Sequence, residues 1–215
     1  MGYMTRLDAV NQMLISAGEG IVSDLENKSG VDTSVCEFML DQKIVDYQMR
    51  GLANNQVKKT YKTATNDKTI ELPNNTLSGW LISTHLNSDG DQIRGVVRGT
   101  NPPYLYNLTD MTKEWDVNIE YDLYLVLKYD WEDMDTNVQK AIVLQAAREY
   151  QMLSQGDGDV DNYLAQLSMF YDSQAKGSDN SQKRYNIFAG PESSVVNAVN
   201  RNRVFNYNRH RYPNV

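Results

Sequence analysis

Between Val117 and Tyr129 every second residue is large and apolar: Val117, Ile119, Tyr121, Leu123, Leu125, Leu127 and Tyr129. Asn118, Glu120, Asp122 and Lys128 fall among the positions between them. A period of two places one set of side chains on one face of an extended chain, so this stretch predicts a half-buried strand or two joined ones. The patterns on either side have a different period. Leu7, Val10, Leu14 and Ala17 recur at helical spacing, with Thr5 and Asp8 forming a capping-box signature and Gly18 where a helix ends. A longer helix is predicted over Thr33–Leu52, capped by Asp32 or Thr33.

That second helix carries two apolar stripes when its residues are set at 100° intervals. One holds Val35, Phe38, Met39, Val45, Met49 and Leu52; the other holds Cys36, Leu40, Ile44 and Tyr47. A helix at the edge of a simple bundle needs one stripe. Two stripes predict a central helix, or one that also touches a second chain.

From Gln56 to Tyr129 short strand-like runs are predicted over Lys68–Leu72, Trp80–Leu86, Gln92–Val97 and Tyr104–Leu108. Turn signals such as Pro73-Asn74-Asn75, Asp89-Gly90 and Asn101-Pro102-Pro103 separate them. Helix returns over Thr136–Ser154 behind Asp135, with Val138, Ala141, Ile142, Leu144, Ala146 and Tyr150 as its core. After the break at Gly156-Asp157-Gly158, a one-sided helix carries Val160, Tyr163, Leu164, Leu167, Phe170 and Tyr171. The predicted class is α+β: a bundle of about four helices with an inserted antiparallel β domain and an extended C-terminal tail. The expected divisions are 1–55 and 131–176 for the two parts of the bundle, 56–130 for the β domain and 177–215 for the tail. The bundle closes only if the helices on both sides of the insert pack together.

Charge divides the chain in the same way. The net charge is −7. From Gly177 onward, Lys183, Arg184, Arg201, Arg203, Arg209 and Arg211 face only Asp179 and Glu192, a balance of +4 that leaves −11 for residues 1–176. An acidic protein repels nucleic acid. The basic tail is expected either to lie on an acidic surface of another subunit or to stay solvated. The 14 Tyr and 3 Trp suit either contact surfaces or a Tyr-rich sheet. A single cysteine, Cys36, excludes an intramolecular disulfide and a thiolate metal cluster, and fits folding in a reducing cytoplasm. No secretory signal is read at the N-terminus, and no run approaches the roughly 18 apolar residues of a membrane span. The expectation is a soluble chain that enters no membrane through its own helices.

Catalytic constellations are sparse. His85 lies in a predicted strand and His210 in the tail, and neither has a nucleophile fixed beside it in sequence. The Asp157–Asp161 run fails as an EF-hand, with Asn162 where Gly is needed and Ser168 where Glu is needed. It reads as a turn and an acidic helix start. Asn87–Asp91 fails the same test and reads as a hairpin tip. Arg94–Gly99 is not followed by the Gly-Lys-Ser/Thr of a phosphate loop. Glu114, Asp116, Glu120 and Asp122 have the residue type for glycoside hydrolysis, but alternating acids on a strand usually form its solvent face. No catalytic residue, metal or cofactor is expected.

The stretch Leu7–Glu19, containing Ala9-Val10-Asn11, Leu14 and Gly18-Glu19, leads into Val22-Ser23-Asp24-Leu25. It resembles the opening of the tail tubular protein A family, the head–tail adaptors of short-tailed bacteriophages. Leu105-Tyr106-Asn107 followed by a Thr-rich turn is a second echo. Tyr129–Met134 followed by Ala146-Ala147-Arg148-Glu149-Tyr150 is a third, with Asp135 where the family usually has Pro. The resemblance spans about residues 5–175. It implies helices around a β insertion, and a ring of about twelve copies between the portal protein and the tail nozzle protein, with DNA passing through unbound. Tail fibre is a further candidate neighbour. The location implied is the virion tail, after assembly in the host bacterial cytoplasm.

On this reading the contact residues are the stripe Cys36, Leu40, Ile44 and Tyr47, facing another subunit, and Arg201, Arg203, Phe205, Tyr207, Arg209 and Arg211 in the tail, reaching the portal. Two other classes compete. One is a nucleic-acid-binding module acting through the basic tail. The other is a tail-borne cell-wall hydrolase using the acids of 114–122.

Overall fold

A computed structural model describes residues 4–26, 31–63, 68–82, 85–86 and 90–182. These form four helices and a five-stranded antiparallel sheet, an α+β fold in the predicted order.

Helix α1 (Arg6–Ser16) starts where the capping box places it: Thr5 and Asp8 satisfy each other's backbone N–H groups. It ends in a Schellman motif. Gly18 takes φ +72°, and the N–H groups of Glu19 and Gly18 donate to Leu14 and Ile15. Ala9, Val10, Met13 and Leu14 line its buried face. Helix α2 spans Val31–Gln48 and α3 spans Thr136–Ser154, capped by the Asp135 side chain on the Asn137 N–H. Helix α3 is the central one, buried on most sides and packed against α1, α2 and α4. Helix α4 (Gly158–Gln182) runs past the change of composition at Gly177. Asp157 opens it by accepting from the N–H groups of Asp159 and Val160, the turn-and-start role expected of the acidic run.

The strands are β1 (Gln56–Lys62), β2 (Thr76–Leu81), β3 (Gly95–Arg98), β4 (Tyr104–Asn107) and β5 (Glu120–Leu127), ordered β1-β5-β2-β3-β4. The alternating stretch supplies β5, near the middle of the sheet, but only over part of its length. Asn118 takes φ +62° in a turn, so Val117 and Ile119 precede the strand. Strand β1 lies in the expected β block but carries little alternation. It is an edge strand held by its ladder to β5, with Lys58, Lys59 and Lys62 exposed. Lys68–Leu72 forms no regular strand. It runs beside the β4 edge, where the Leu72 N–H donates to Pro103 and the Leu105 N–H to Ile70. Strand β2 covers Thr76–Leu81 instead of Trp80–Leu86, and Leu86 makes an isolated bridge to Gln92.

Two hydrophobic clusters result. The helical one joins α1, α2, α3, Trp131, Met134 and Ala175, so the helices on both sides of the insert do share a core. The sheet cluster holds Ile70, Leu72, Ile93, Leu105, Trp115, Tyr121, Leu123 and Leu125. At the seam Gln48 ties the exit from the sheet to α2. Its amide donates to the Tyr129 carbonyl at 3.0 Å and accepts the Tyr129 N–H at 2.7 Å. Asn55 adds a bond to the Gln48 carbonyl and receives the Leu127 N–H.

Candidate assembly surface

Helix α2 separates its two stripes cleanly. Cys36, Leu40, Ile44 and Tyr47 are all within the helical core of the single chain, at most 3% exposed. This corrects the assignment of that stripe to another subunit: these side chains already have partners inside. The opposite side of the helix is the one left outward. Phe38 is 62% exposed and Met49 51%, with Val31 exposed above them, while Val35, Met39 and Leu52 are half-buried against the core. Arg201, Arg203, Phe205, Tyr207, Arg209 and Arg211 lie outside the described residues.

A groove of about 740 Å³ runs between α2 and α4 over α3. Ion pairs cross its floor and walls: Lys43 with Glu149, Arg50 with Asp172 at 3.1 Å, and Arg148 with Asp161. The Arg148 pair is bidentate, at 2.6 and 3.0 Å. Met152, Leu153 and Met169 supply exposed apolar surface beside them. Burial pushes the Asp172 carboxyl up, but the bonds from Lys176 and Tyr47 and the charge of Arg50 outweigh it and hold it below the ordinary carboxylate range. Burial, then the bond to Asp172, raises the Tyr47 hydroxyl, which stays a donor. Each of the groove's cations Lys43, Arg50 and Arg148 faces a carboxylate.

The residues that carry the family resemblance hold the fold. Asn11 accepts the Val22 N–H at 2.8 Å and donates to the Val22 carbonyl at 3.0 Å, clamping the chain that Gly18 turns back. Glu19 accepts the Tyr150 hydroxyl at 2.7 Å, and Arg148 anchors the start of α4 through Asp161. These are fixed points between distant segments, so their spacing reads as a motif. Gln48 and Gln139 act in the same way, although nothing in their sequence surroundings marks them as clamps. Gln139 donates to the Trp131 carbonyl at 2.7 Å and accepts the Met4 N–H. A lone buried glutamine has no sequence signature apart from interrupting an apolar face.

Burial, reinforced by the charge of Glu19, pushes the Cys36 thiol up to about 12. Thiolate is the reactive form. Native protein at pH 8 is therefore expected to resist iodoacetamide at Cys36 and to be alkylated only after unfolding. Rapid labelling of the folded chain, read by intact mass, would contradict this.

His85 is structural: its Nε2 lies 2.9 Å from the Glu120 carbonyl, and its ring meets Tyr121 edge-on. Among the acids of 114–122, Glu114 pairs with Lys68, and Asp122 is held low first by the Thr60 hydroxyl and then by Lys58. Among the described residues no group of three or more His, Cys, Asp or Glu is placed to hold a metal. No described helix is long and apolar enough to cross a membrane.

A helical unit locked by internal ion pairs and amide clamps, with apolar residues left outward and a sheet inserted beside it, has the build of an α+β assembly subunit. A profile of the Tail tubular protein family matches residues 7–185, and the chain belongs to that family. It is a structural component of a bacteriophage tail. The sequence matches no protein among the curated ones compared with it.

Proposed function

We propose that this chain is the ring-forming adaptor of the tail, about twelve copies joining the portal protein to the tail nozzle protein and forming part of the channel through which DNA is ejected. The observation that carries this reading is the outward stripe of α2. A helix that buries one apolar stripe completely and leaves Phe38 and Met49 more than half exposed is suited to a second contact outside the chain. A ring needs two unlike faces that meet head to tail. Charge supports the channel: the −11 of residues 1–176 repels phosphate and lets DNA slide without sticking. The portal contact falls to the basic tail, whose sign is opposite to that of the body.

Electron microscopy of assembled tails tests the ring. Closed rings of this chain between head and nozzle are expected, and tails that carry it singly or in open arrays would sink the reading. The tail contact has its own test. A chain ended after Gln182 should keep its helix content and its ring contacts but fail to attach to portal-bearing heads. Normal attachment would overturn the portal role.

A further inference from the structure

The sheet has a second face that lies outside the sheet cluster; Val126 is buried on it, and the row of side chains that crosses it is half-buried or exposed. Tyr121, Leu123 and Leu125 of β5 and Leu105 of β4 point into the sheet cluster, so the alternate residues point away from it. The ladder registers bring those alternate residues into one row across all five strands. Lys58 lies opposite Tyr124, Tyr124 opposite Trp80, Trp80 opposite Val96, and Val96 opposite Tyr106. The Trp80 and Tyr124 rings are 5.7 Å apart, and Trp80 is 47% exposed. At the β4 end, Arg98 sits 3.9 Å above the Tyr106 ring and Lys113 lies over Tyr104. Neither cation is in an ion pair among the described residues. Tryptophan, tyrosine and arginine side by side are the composition of an interface centre.

The outward stripe of α2 complements this row in charge and in length. Of the acids of α2, Asp41 is paired with Arg6 and Asp46 faces Lys43, while Asp32 and Glu37 make no ion pair among the described residues and border the Val31–Phe38 end of the stripe. On the sheet the cations left unpaired, Arg98 and Lys113, lie at the β4 end, while Lys58 at the other end is paired with Asp122, so the unpaired acids of the helix match the β4 end of the row. Four interstrand steps give it a length of roughly 19 Å, and Phe38 to Met49 spans about 17 Å at the helical rise.

We propose that the outer sheet face of one copy receives the Phe38–Met49 stripe of α2 from the next copy, with Trp80 at its centre. This rests on the ring reading above, for which it supplies the two unlike faces. It is a head-to-tail contact, so each copy offers a helix on one side and a sheet on the other.

Cysteine placement in the full chain tests it, because Cys36 is buried and gives little background. Assembled tails carrying the double variant W80C/F38C, treated with a short bismaleimide, should show a ladder of covalent multimers on denaturing gels. Tails with W80C alone or F38C alone should show single-chain bands. Trp80→Ser should weaken self-association on the order of tenfold or more, with helix content unchanged by circular dichroism. Covalent dimers from W80C alone would mean that the face meets its own copy, and would overturn the proposal. Rings that form normally with no ladder from the double variant would overturn it while leaving the ring reading intact. The absence of any multi-copy assembly of the unsubstituted chain would remove both. Salt-sensitive DNA retention lost on Trp80→Ser, with assembly unaffected, would reassign the face to nucleic acid and overturn it as well.

Discussion

Leu123→Ala is expected to cost about 2–5 kcal/mol of stability, and the loss should fall on the sheet. Leu123 is fully buried in β5, between Lys59 of β1 and Leu81 of β2 in the ladders, and it sits in the cluster with Tyr121, Leu125 and Leu105. A strand near the middle of the sheet cannot shift to fill the space without breaking pairing on both sides, so the cavity persists and adds to the lost transfer energy. A loss of that size is a large part of the stability of an ordinary domain. The helical cluster shares no residue with the sheet cluster. Urea unfolding should therefore show the midpoint for tryptophan fluorescence, two of whose three reporters (Trp80 and Trp115) lie in the sheet region, moving further than the midpoint for helix ellipticity at 222 nm. A midpoint that stays in place for both probes would show that Leu123 is not packed as described.

Gln48→Leu should cost about 2–5 kcal/mol, although the side-chain volume is nearly kept. The wild-type amide is 1% exposed and satisfies both the N–H and the C=O of Tyr129. Leucine leaves both backbone groups of half-buried Tyr129 without these partners, and each orphaned group costs about 1–3 kcal/mol. Gln48→Ala removes the same bonds and also opens a cavity, so it should be the more damaging of the two. The change strikes the seam between the two clusters, and its second expected effect is a loss of coupling: the midpoints of the helix and sheet signals should lie further apart than in the wild type. Two transitions that stay at the wild-type midpoints would show that the seam is held by other contacts.

The limits of local patterning show at particular residues. The capping box at Thr5, the turn at Gly18, the cap at Asp135 and the inward alternation of Tyr121, Leu123 and Leu125 were all legible. Each is a short-range rule: a side chain that satisfies its own helix end, or a period that sets its own face. Strand β1 was not legible as a strand, because an edge strand with three exposed lysines is held by backbone bonds to β5 and not by its own pattern. Lys68–Leu72 had the residues of a strand but found only the short β4 edge beside it. The positive φ of Asn118 cut short an alternation that the sequence alone presents as unbroken.

The helix α2 stripes divide the two kinds of information most clearly. Their existence follows from spacing alone, since apolar residues on two sides of a helix require two contacts. Which stripe faces inward depends on where α1 and α3 lie, and these come from opposite ends of an insertion of about seventy residues. The same holds for Asn11 on Val22, Tyr150 on Glu19 and Gln48 on Tyr129. By itself, the sequence determined the order of the helices around the β block, the ends of α1 and the start of α3, the β5 face and the separation of charge between body and tail, because all of these are set by neighbours along the chain; α2, predicted over Thr33–Leu52, spans Val31–Gln48 with Asp32 and Thr33 inside it. Only the tertiary structure decided which apolar surface is left over for another molecule, because that is whatever remains after segments distant in sequence have covered the rest.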